Sequence, residues 1–416
     1  MRYPLLLLGA LLALGLSAQT PRAMSLQEAE RLFVEHNQEI LTSKADVSVA
    51  KSGIRQAKRF NNPELSFEQV NFWSAAQRRA GEKKSFAVSL AQEVRLGGKR
   101  KKEIELARLN HQLASLKQVQ TKQEGLLQFR SAVVELDYLN RYHNLLEEEL
   151  RLLQQITKTY RKQKELGFIS ASHLMRVQTA AYELEQEIVE VKQQSYEVDQ
   201  LLHTWMGLPI HEEIHISWEA KEHTLPDAIT ARLTRLSDTH PLLLLQQGQV
   251  QMQQKKLALE QVNRIPEVGL SGTYDRRGGV WPNYFGVGIS FKLPLFNRNQ
   301  GQIQAAQTLL ALEKTQLKTQ KTALANQIQS TFKQYQELAQ FEHKLSSELS
   351  YEELAEIQAS YTRNLFHKNI SLIEFLDFIT AHREALHIQL ETTKNRQLHY
   401  FKLRYLVGHQ TTPYEN

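Results

Sequence analysis

The chain has 416 residues, a formal net charge of +6, a pI near 9.2 and a mean hydropathy of −0.45. That hydropathy excludes a protein made of membrane-spanning helices, and the basic residues are interleaved with acidic ones along helical patterns, so nucleic acid is not an expected partner. No cysteine is present, which excludes disulfides and a lipid-modified N-terminal cysteine and leaves packing alone to hold the fold.

The first element is a short apolar run. Arg2 precedes residues 5–16, LLLLGALLALGL. A bilayer-spanning helix needs ~20 apolar residues, so this run predicts a secretory signal peptide over residues 1–18, cut after Ala18.

The remainder reads as a duplication. Pro63 and Pro266 stand 203 residues apart, as do Gly98 and Gly301. Gly167-Phe168-Ile169-Ser170 aligns with Lys368-Asn369-Ile370-Ser371 at an offset of 201, and Trp205-Met206-Gly207 aligns with Leu406-Val407-Gly408 at the same offset. Two structural repeats follow, residues 25–207 and 228–408. Each holds a helix, a β-hairpin (about 63–94 and about 266–296), a long helix and a further helix. Residues 208–227 link them, and 409–416 form a tail. The Pro-free reaches carry apolar residues at three- and four-residue steps, such as Leu106, Leu109, Leu113 and Leu116, then Leu146, Leu150 and Leu153. That spacing is a coiled-coil seam. From Gly98 to Gly167 a helix would measure on the order of 100 Å, and the helices over 26–59 and 170–206 near 50 Å each. Each half is therefore expected to pair one long helix with two of half its length.

Between the helices the period changes to two. Residues 65–73, 85–91, 268–274 and 285–291 alternate bulky apolar side chains with Gly, Ser and Ala, so one face suits an apolar medium and the other is small and polar. Aromatic residues sit near the ends: Phe72, Trp73, Tyr274, Trp281 and Tyr284. Strands of about ten residues with such ends suit a transmembrane β-barrel. Four strands cannot close one, and open edges are not tolerated in lipid, so the chain is expected to oligomerise; three copies would give twelve strands around a water-filled lumen. At the strand-to-helix corners, Pro294 tolerates a missing ladder donor, Gly301 is expected to supply backbone freedom, and Gly97-Gly98 to do so in the first half. At the far ends Gly167 and Asn369 are expected in the left-handed conformation, with Ser170 and Ser371 as helix N-caps.

The duplication, the NPEL and IPEV strand starts, LGGKR, PLFNRNQGQIQAA and the two Ile-Ser turns make the chain resemble the TolC family of outer-membrane efflux channels over nearly its whole length. LGGKR with PLFNRNQG is most similar to the CzcC-like branch, associated with heavy-metal cation export. The resemblance implies a mainly α fold with a small β part: long coiled-coil helical hairpins in two tandem repeats, with four transmembrane strands per chain. It also implies a homotrimer with a twelve-stranded barrel in outer-membrane lipid and an α-helical tunnel in the periplasm, its linker and tail in a belt around the middle. The implied partners are a periplasmic adaptor (membrane fusion) protein and an inner-membrane RND pump. The turns at the periplasmic end, Gly167, Ile169, Ser170 and Leu174 with Asn369, Ile370, Ser371 and Phe375, would meet the adaptor. Residues 371–377, SLIEFLD, resemble the family run IVDVLDA, whose two aspartates ring the constriction; Glu374 and Asp377 match those positions. At the 201-residue offset stand His173 and Arg176, expected to pair with the acidic face in a closed state.

Other motifs carry less. His211-Glu212-Glu213-Ile214-His215 matches the HExxH zinc pattern, which needs a helix and a third ligand. Here it follows Gly207-Leu208-Pro209 and precedes the strand-like alternation of Ile214, Ile216 and Trp218, so a weak metal contact by His211, His215 or His223 is the alternative to solvated linker histidines. LGGKR lacks the glycine spacing and the Ser/Thr of a phosphate loop. No enzyme activity, cofactor or resident metal is expected. The expected role is a passive exit duct for heavy-metal cations; the alternatives are the same duct for drugs or other organic molecules, and a periplasmic coiled-coil scaffold without a pore.

Overall fold

A computed structural model describes residues 22–68, 86–212, 214–218, 240–276 and 281–407. The expected signal peptide, Phe72, Trp73, His223 and the tail lie outside them. The elements are β1 (Arg22–Ser25), α1 (Leu26–His36), α2 (Gln38–Ala57), β2 (Glu64–Glu68), β3 (Ala87–Val94), α3 (Lys99–Glu165), α4 (Ala171–Met206) and β4 (Ile214–Ser217). They continue with α5 (Pro241–Val262), β5 (Val268–Asp275), β6 (Tyr284–Phe291), α6 (Gln300–Glu348), α7 (Tyr351–Phe366) and α8 (Leu372–Leu406).

Two helices expected to be continuous are divided. The first breaks at Asn37, whose backbone leaves the helical region at ψ 123 while its N–H still bonds Phe33 O at 2.8 Å. The long helix of the second half stops at Glu348. Ser350 then caps α7: its Oγ accepts from the Glu353 N–H at 3.2 Å, and its own N–H donates to Glu353 Oε2 at 3.1 Å. This reciprocal capping box satisfies two donors at a new helix start, so a break forms with neither Gly nor Pro present.

The chain forms two compact units. One comprises Met1–Asn37, Gln128–His223 and Ser346–Lys394; the other comprises Gln38–Leu127, Thr224–Leu345 and Asn395–Asn416. In the first, Leu139, Leu146, Leu153 and Ile156 of α3 pack with Val177, Leu184, Ile188 and Val191 of α4. Leu365 of α7 and Leu372, Phe375 and Ile379 of α8 complete the core. The seven-residue step from Leu139 to Leu153 is the coiled-coil seam, and fully burying each such side chain contributes about 1.5–3 kcal/mol. Phe33 lies tilted against Phe129 and edge-on to Trp205, with centroids 4.8 and 5.8 Å away. Beside them Glu30 accepts two bonds from Arg130, at 2.7 and 3.0 Å. β1 and β4 pair in parallel, Ala23 opposite His215 and Met24 opposite Ile216.

In the second unit, Leu243 of α5, Leu324 and Ile328 of α6 and Leu406 of α8 form a smaller cluster. Of the earlier seam, Leu113 alone is buried there, while Leu106, Leu109 and Leu116 are half-buried. The unit also holds an antiparallel sheet of order β2-β3-β5-β6.

Candidate functional site

The register sorts the sheet into two faces. Leu65 stands opposite Leu90, Leu90 opposite Gly272 and Gly272 opposite Val287; two residues along, Leu270 faces Gln92 and Ile289. With Phe67, Val88, Val94, Val268, Tyr274, Phe285 and Phe291, these residues share one side, because side chains alternate along a strand. The other side carries Ser66, Ser89, Ala91, Gly269, Ser271, Thr273, Gly286, Gly288 and Ser290, with Glu64, Glu68, Glu93 and Asp275. Val287 is 94% exposed, and Phe67, Leu270, Phe285, Ile289 and Phe291 are exposed as well. A contiguous apolar sheet face of this kind marks an interaction with lipid or protein.

At the corners, Gly97 and Gly98 have φ of 68 and 74. In the second half the left-handed residue is Asn299, with φ 61, whereas Gly301 lies inside α6. Asn299 tolerates the conformation because its side chain is anchored: Nδ2 donates to Glu260 O at 2.9 Å and to Glu260 Oε2 at 2.6 Å. Pro294 follows the end of β6, where no ladder donor is required.

The two far turns share one hydrogen-bond pattern. Gly167 has φ 79, its N–H bonds Lys164 O at 3.0 Å, and the Phe168 N–H bonds Gln163 O at 2.8 Å. At the 201-residue offset, Lys368 has φ 59, its N–H bonds Leu365 O at 3.1 Å, and the Asn369 N–H bonds Asn364 O at 2.9 Å. Both are helix-terminating loops with one left-handed residue. The expectation of Asn369 in that conformation is therefore corrected to Lys368. Asn369 takes the following slot, where its Nδ2 also bonds Asn364 Oδ1 at 3.1 Å. Ser371 caps α8 through the Glu374 N–H at 3.1 Å. Ser170 occupies the N-cap position of α4, but its hydroxyl bonds Ser172 Oγ at 2.7 Å instead of a backbone donor.

Leu174 and Phe375 do not belong to the outer surface of these turns: they are 7% and 0% exposed, in the core where the 3–4 seams of α4 and α8 place them. Leu166, Phe168 and Ile373 supply the exposed apolar surface instead, Phe168 at 71%. The signal for them was their position outside the heptad seam. Ile169 and Ile370 are half-buried.

Glu374 and Asp377 are exposed on the first turns of α8, three residues apart and so on one face. His173 and Arg176 are exposed on α4. No ion pair joins the two sets within one chain, so the expected pairing is not made there.

The HExxH match does not lie on a helix. His211 sits in a turn, and His215 is exposed on β4. Among the described residues no group of three or more metal-ligating side chains assembles. Sequence reasoning missed His203, buried at the end of α4, whose Nε2 meets Glu212 O at 2.7 Å and ties the linker to the helix.

Residues 31–208 match the family described as Outer membrane efflux protein. The nickel-cobalt-cadmium resistance protein NccC of Alcaligenes xylosoxydans xylosoxydans is 23% identical over 282 residues, 67% of this chain and 63% of that protein's length. The fold resembles that of CusC with a TM-score of 0.71 at 14% identity, covering 92% of each chain. It resembles the outer membrane protein VceC of Vibrio cholerae with a TM-score of 0.73 at 14% identity, covering 92% of this chain and 95% of that one. The match over residues 31–208, the two-faced sheet and the long helices agree in making the chain similar to the outer-membrane efflux proteins.

Proposed function

We propose that the chain is the outer-membrane exit duct of a three-component efflux system, conducting heavy-metal cations passively from periplasm to exterior. The observation that carries this reading is the two-faced sheet. Its apolar side suits lipid, its small polar side suits a lumen, and among the described residues its edge strands β2 and β6 are paired on one side only. Three copies of the four-stranded sheet joined at those edges supply twelve strands, enough for a water-filled barrel.

The tandem halves, 25–207 and 228–408, then give each copy two helical hairpins to the tunnel. Glu374 and Asp377 line its narrow end, and the turns around Gly167 and Lys368 meet a periplasmic adaptor bound to an RND pump. The cargo follows from LGGKR and PLFNRNQG and from the relative named for nickel, cobalt and cadmium resistance. Deleting the chain should sensitise cells to Ni²⁺, Co²⁺, Cd²⁺ or Zn²⁺. Sensitisation only to dyes and detergents would replace metal cargo with organic molecules. On unheated gels the protein should run as a heat-modifiable trimer from the outer-membrane fraction; a soluble periplasmic monomer would overturn the duct.

A further inference from the structure

We propose that a cavity between α3, α7 and α8, in the first unit, binds a small organic ammonium ion with an apolar body. The cavity encloses about 380 Å³, at the small end of the range for ligand pockets. Leu145 of α3, Leu354 of α7, and Leu386 and Leu390 of α8 form its apolar wall.

Two buried polar groups converge on it. His382 is 6% exposed and lines the cavity, and its Nε2 has no hydrogen-bond partner. The other ring nitrogen donates to the Leu354 backbone carbonyl, and burial keeps the imidazole pKa below its usual value. With that nitrogen as the donor, a neutral imidazole presents Nε2 as an acceptor. The second group is Glu149, 4% exposed, which lies 3.5 Å from Arg383. Glu148 stands exposed at the mouth.

The site thus offers acceptors and negative charge beside leucine side chains, and buried acceptors require donors. An anion would meet the two carboxylates. A neutral apolar guest would leave Nε2 without a donor and the carboxylate with Arg383 alone. A bare metal ion would lack a third ligand, since no such group assembles among the described residues. An ammonium N–H can satisfy His382 Nε2 and the carboxylate while its hydrocarbon part lies on the leucines.

Proton linkage gives an independent signature. Burial pushes Glu149 up to about 7, with Glu187 of α4 raising it further and Arg383 of α8 opposing. On α3, Arg141 at the cavity rim is held by Asp137 at 3.0 Å and Glu148 is exposed; α7 contributes Tyr351 and Gln358 to the lining but no charge. A bound cation favours the carboxylate, so binding releases protons below about pH 7 and strengthens as pH rises from 6 to 8.

The test is calorimetric titration of benzylammonium into the detergent-solubilised full chain. The expected result is saturable binding, one per chain. It should be at least about tenfold weaker for Glu149→Gln and for His382→Leu, and unchanged for Glu352→Gln, which lies outside the cavity lining. Neutral benzyl alcohol should bind at least about tenfold more weakly than benzylammonium. Absence of saturable binding, or equal binding in a folded Glu149→Gln variant, overturns the proposal. Glu149→Gln is nearly isosteric, so the test survives if His382→Leu fails to fold. Export phenotypes play no part in this readout, so it can fail while the duct reading stands.

Discussion

Arg383 of α8 lies 3.5 Å from the Glu149 carboxylate of α3. The same guanidinium lies 3.7 Å from Glu187 of α4, which also accepts a short bond from Tyr142. Tyr142 stacks on His387 at 4.5 Å, and His387 Nε2 meets Tyr138 Oη at 2.8 Å. One arginine therefore serves two carboxylates from two other helices. Removing one partner of a buried pair costs more than the pair contributes, because a desolvated charge remains. Arg383→Met should destabilise the protein by ~2–3 kcal/mol, the value being reduced because the Arg383 side chain is partly hydrated. Thermal unfolding in detergent measures it. Adding Glu149→Gln should recover part of the loss; strictly additive effects would show that the two groups are not coupled.

The raised Glu149 pKa has a definite sign in stability. Burial lifts it from 4.5 to about 7. Between those values the folded protein holds a proton that the unfolded chain releases. Stability contributed by this group is thus full below about pH 4.5 and declines as pH rises towards 7, after which the dependence levels off. Glu149→Gln should remove that component of the pH profile. A variant whose midpoint follows the parent's from pH 5 to 7.5 would count against it.

The two far turns differ in how they meet the same backbone demand. Gly167 adopts its positive φ without a Cβ penalty, whereas Lys368 carries the penalty at φ 59. Lys368→Gly should therefore raise stability by about 0.5–1 kcal/mol, and Gly167→Ala should lower it by about 1 kcal/mol. No side chain or backbone lies within 4 Å of a Cβ built at Gly167, so the loss would be conformational and not a clash. Chemical denaturation of both variants, with opposite shifts in midpoint, is the measurement.

Much of this architecture is legible in the sequence. The period-two runs gave the strands, and the 3–4 seams gave the α3–α4 packing through Leu146, Leu150 and Leu153. The departures come where short-range chemistry can be met in more than one way. Gly301 looked like the corner residue because glycine is the usual answer to a positive φ, but Asn299 reaches that conformation by anchoring its amide on Glu260. The break before α7 was encoded in Ser350-Tyr351-Glu352-Glu353, a capping box that Gly and Pro punctuation does not reveal. Leu174 and Phe375 were expected at the surface from their closeness to the turns, yet they fall on the buried seam. The cluster around Arg383 joins residues from three helices and leaves no local pattern.

The sheet faces predict opposite tolerances. Ile289→Arg would place a charge on the lipid-facing side, at a cost of about 2–4 kcal/mol near the bilayer midplane and in every copy. It should abolish heat-modifiable trimers in the outer-membrane fraction. Ser271→Asp, on the small polar face, should leave assembly intact. Equal assembly of both variants would mean that the sheet does not face lipid.

The acidic pair at the start of α8 supplies the last prediction. Glu374 and Asp377 are exposed on one face of α8, and the Ser371 cap fixes the start of that helix by holding the Glu374 N–H. Threefold symmetry would bring six carboxylates to one narrow point, where their field favours cations over anions and holds divalent ions longest. Glu374→Gln combined with Asp377→Asn should lower cation selectivity and weaken block by divalent cations in planar-bilayer recordings. Neither substitution changes side-chain volume appreciably, so a change in selectivity without a change in trimer stability isolates the electrostatic role. Arg176 is exposed on α4 and makes no ion pair among the described residues, which leaves it able to meet an acidic face across a subunit boundary. Arg176→Ala should then raise the open fraction at constant unitary conductance. If both variants conduct like the parent, these residues are solvated surface and the constriction lies elsewhere along the helices.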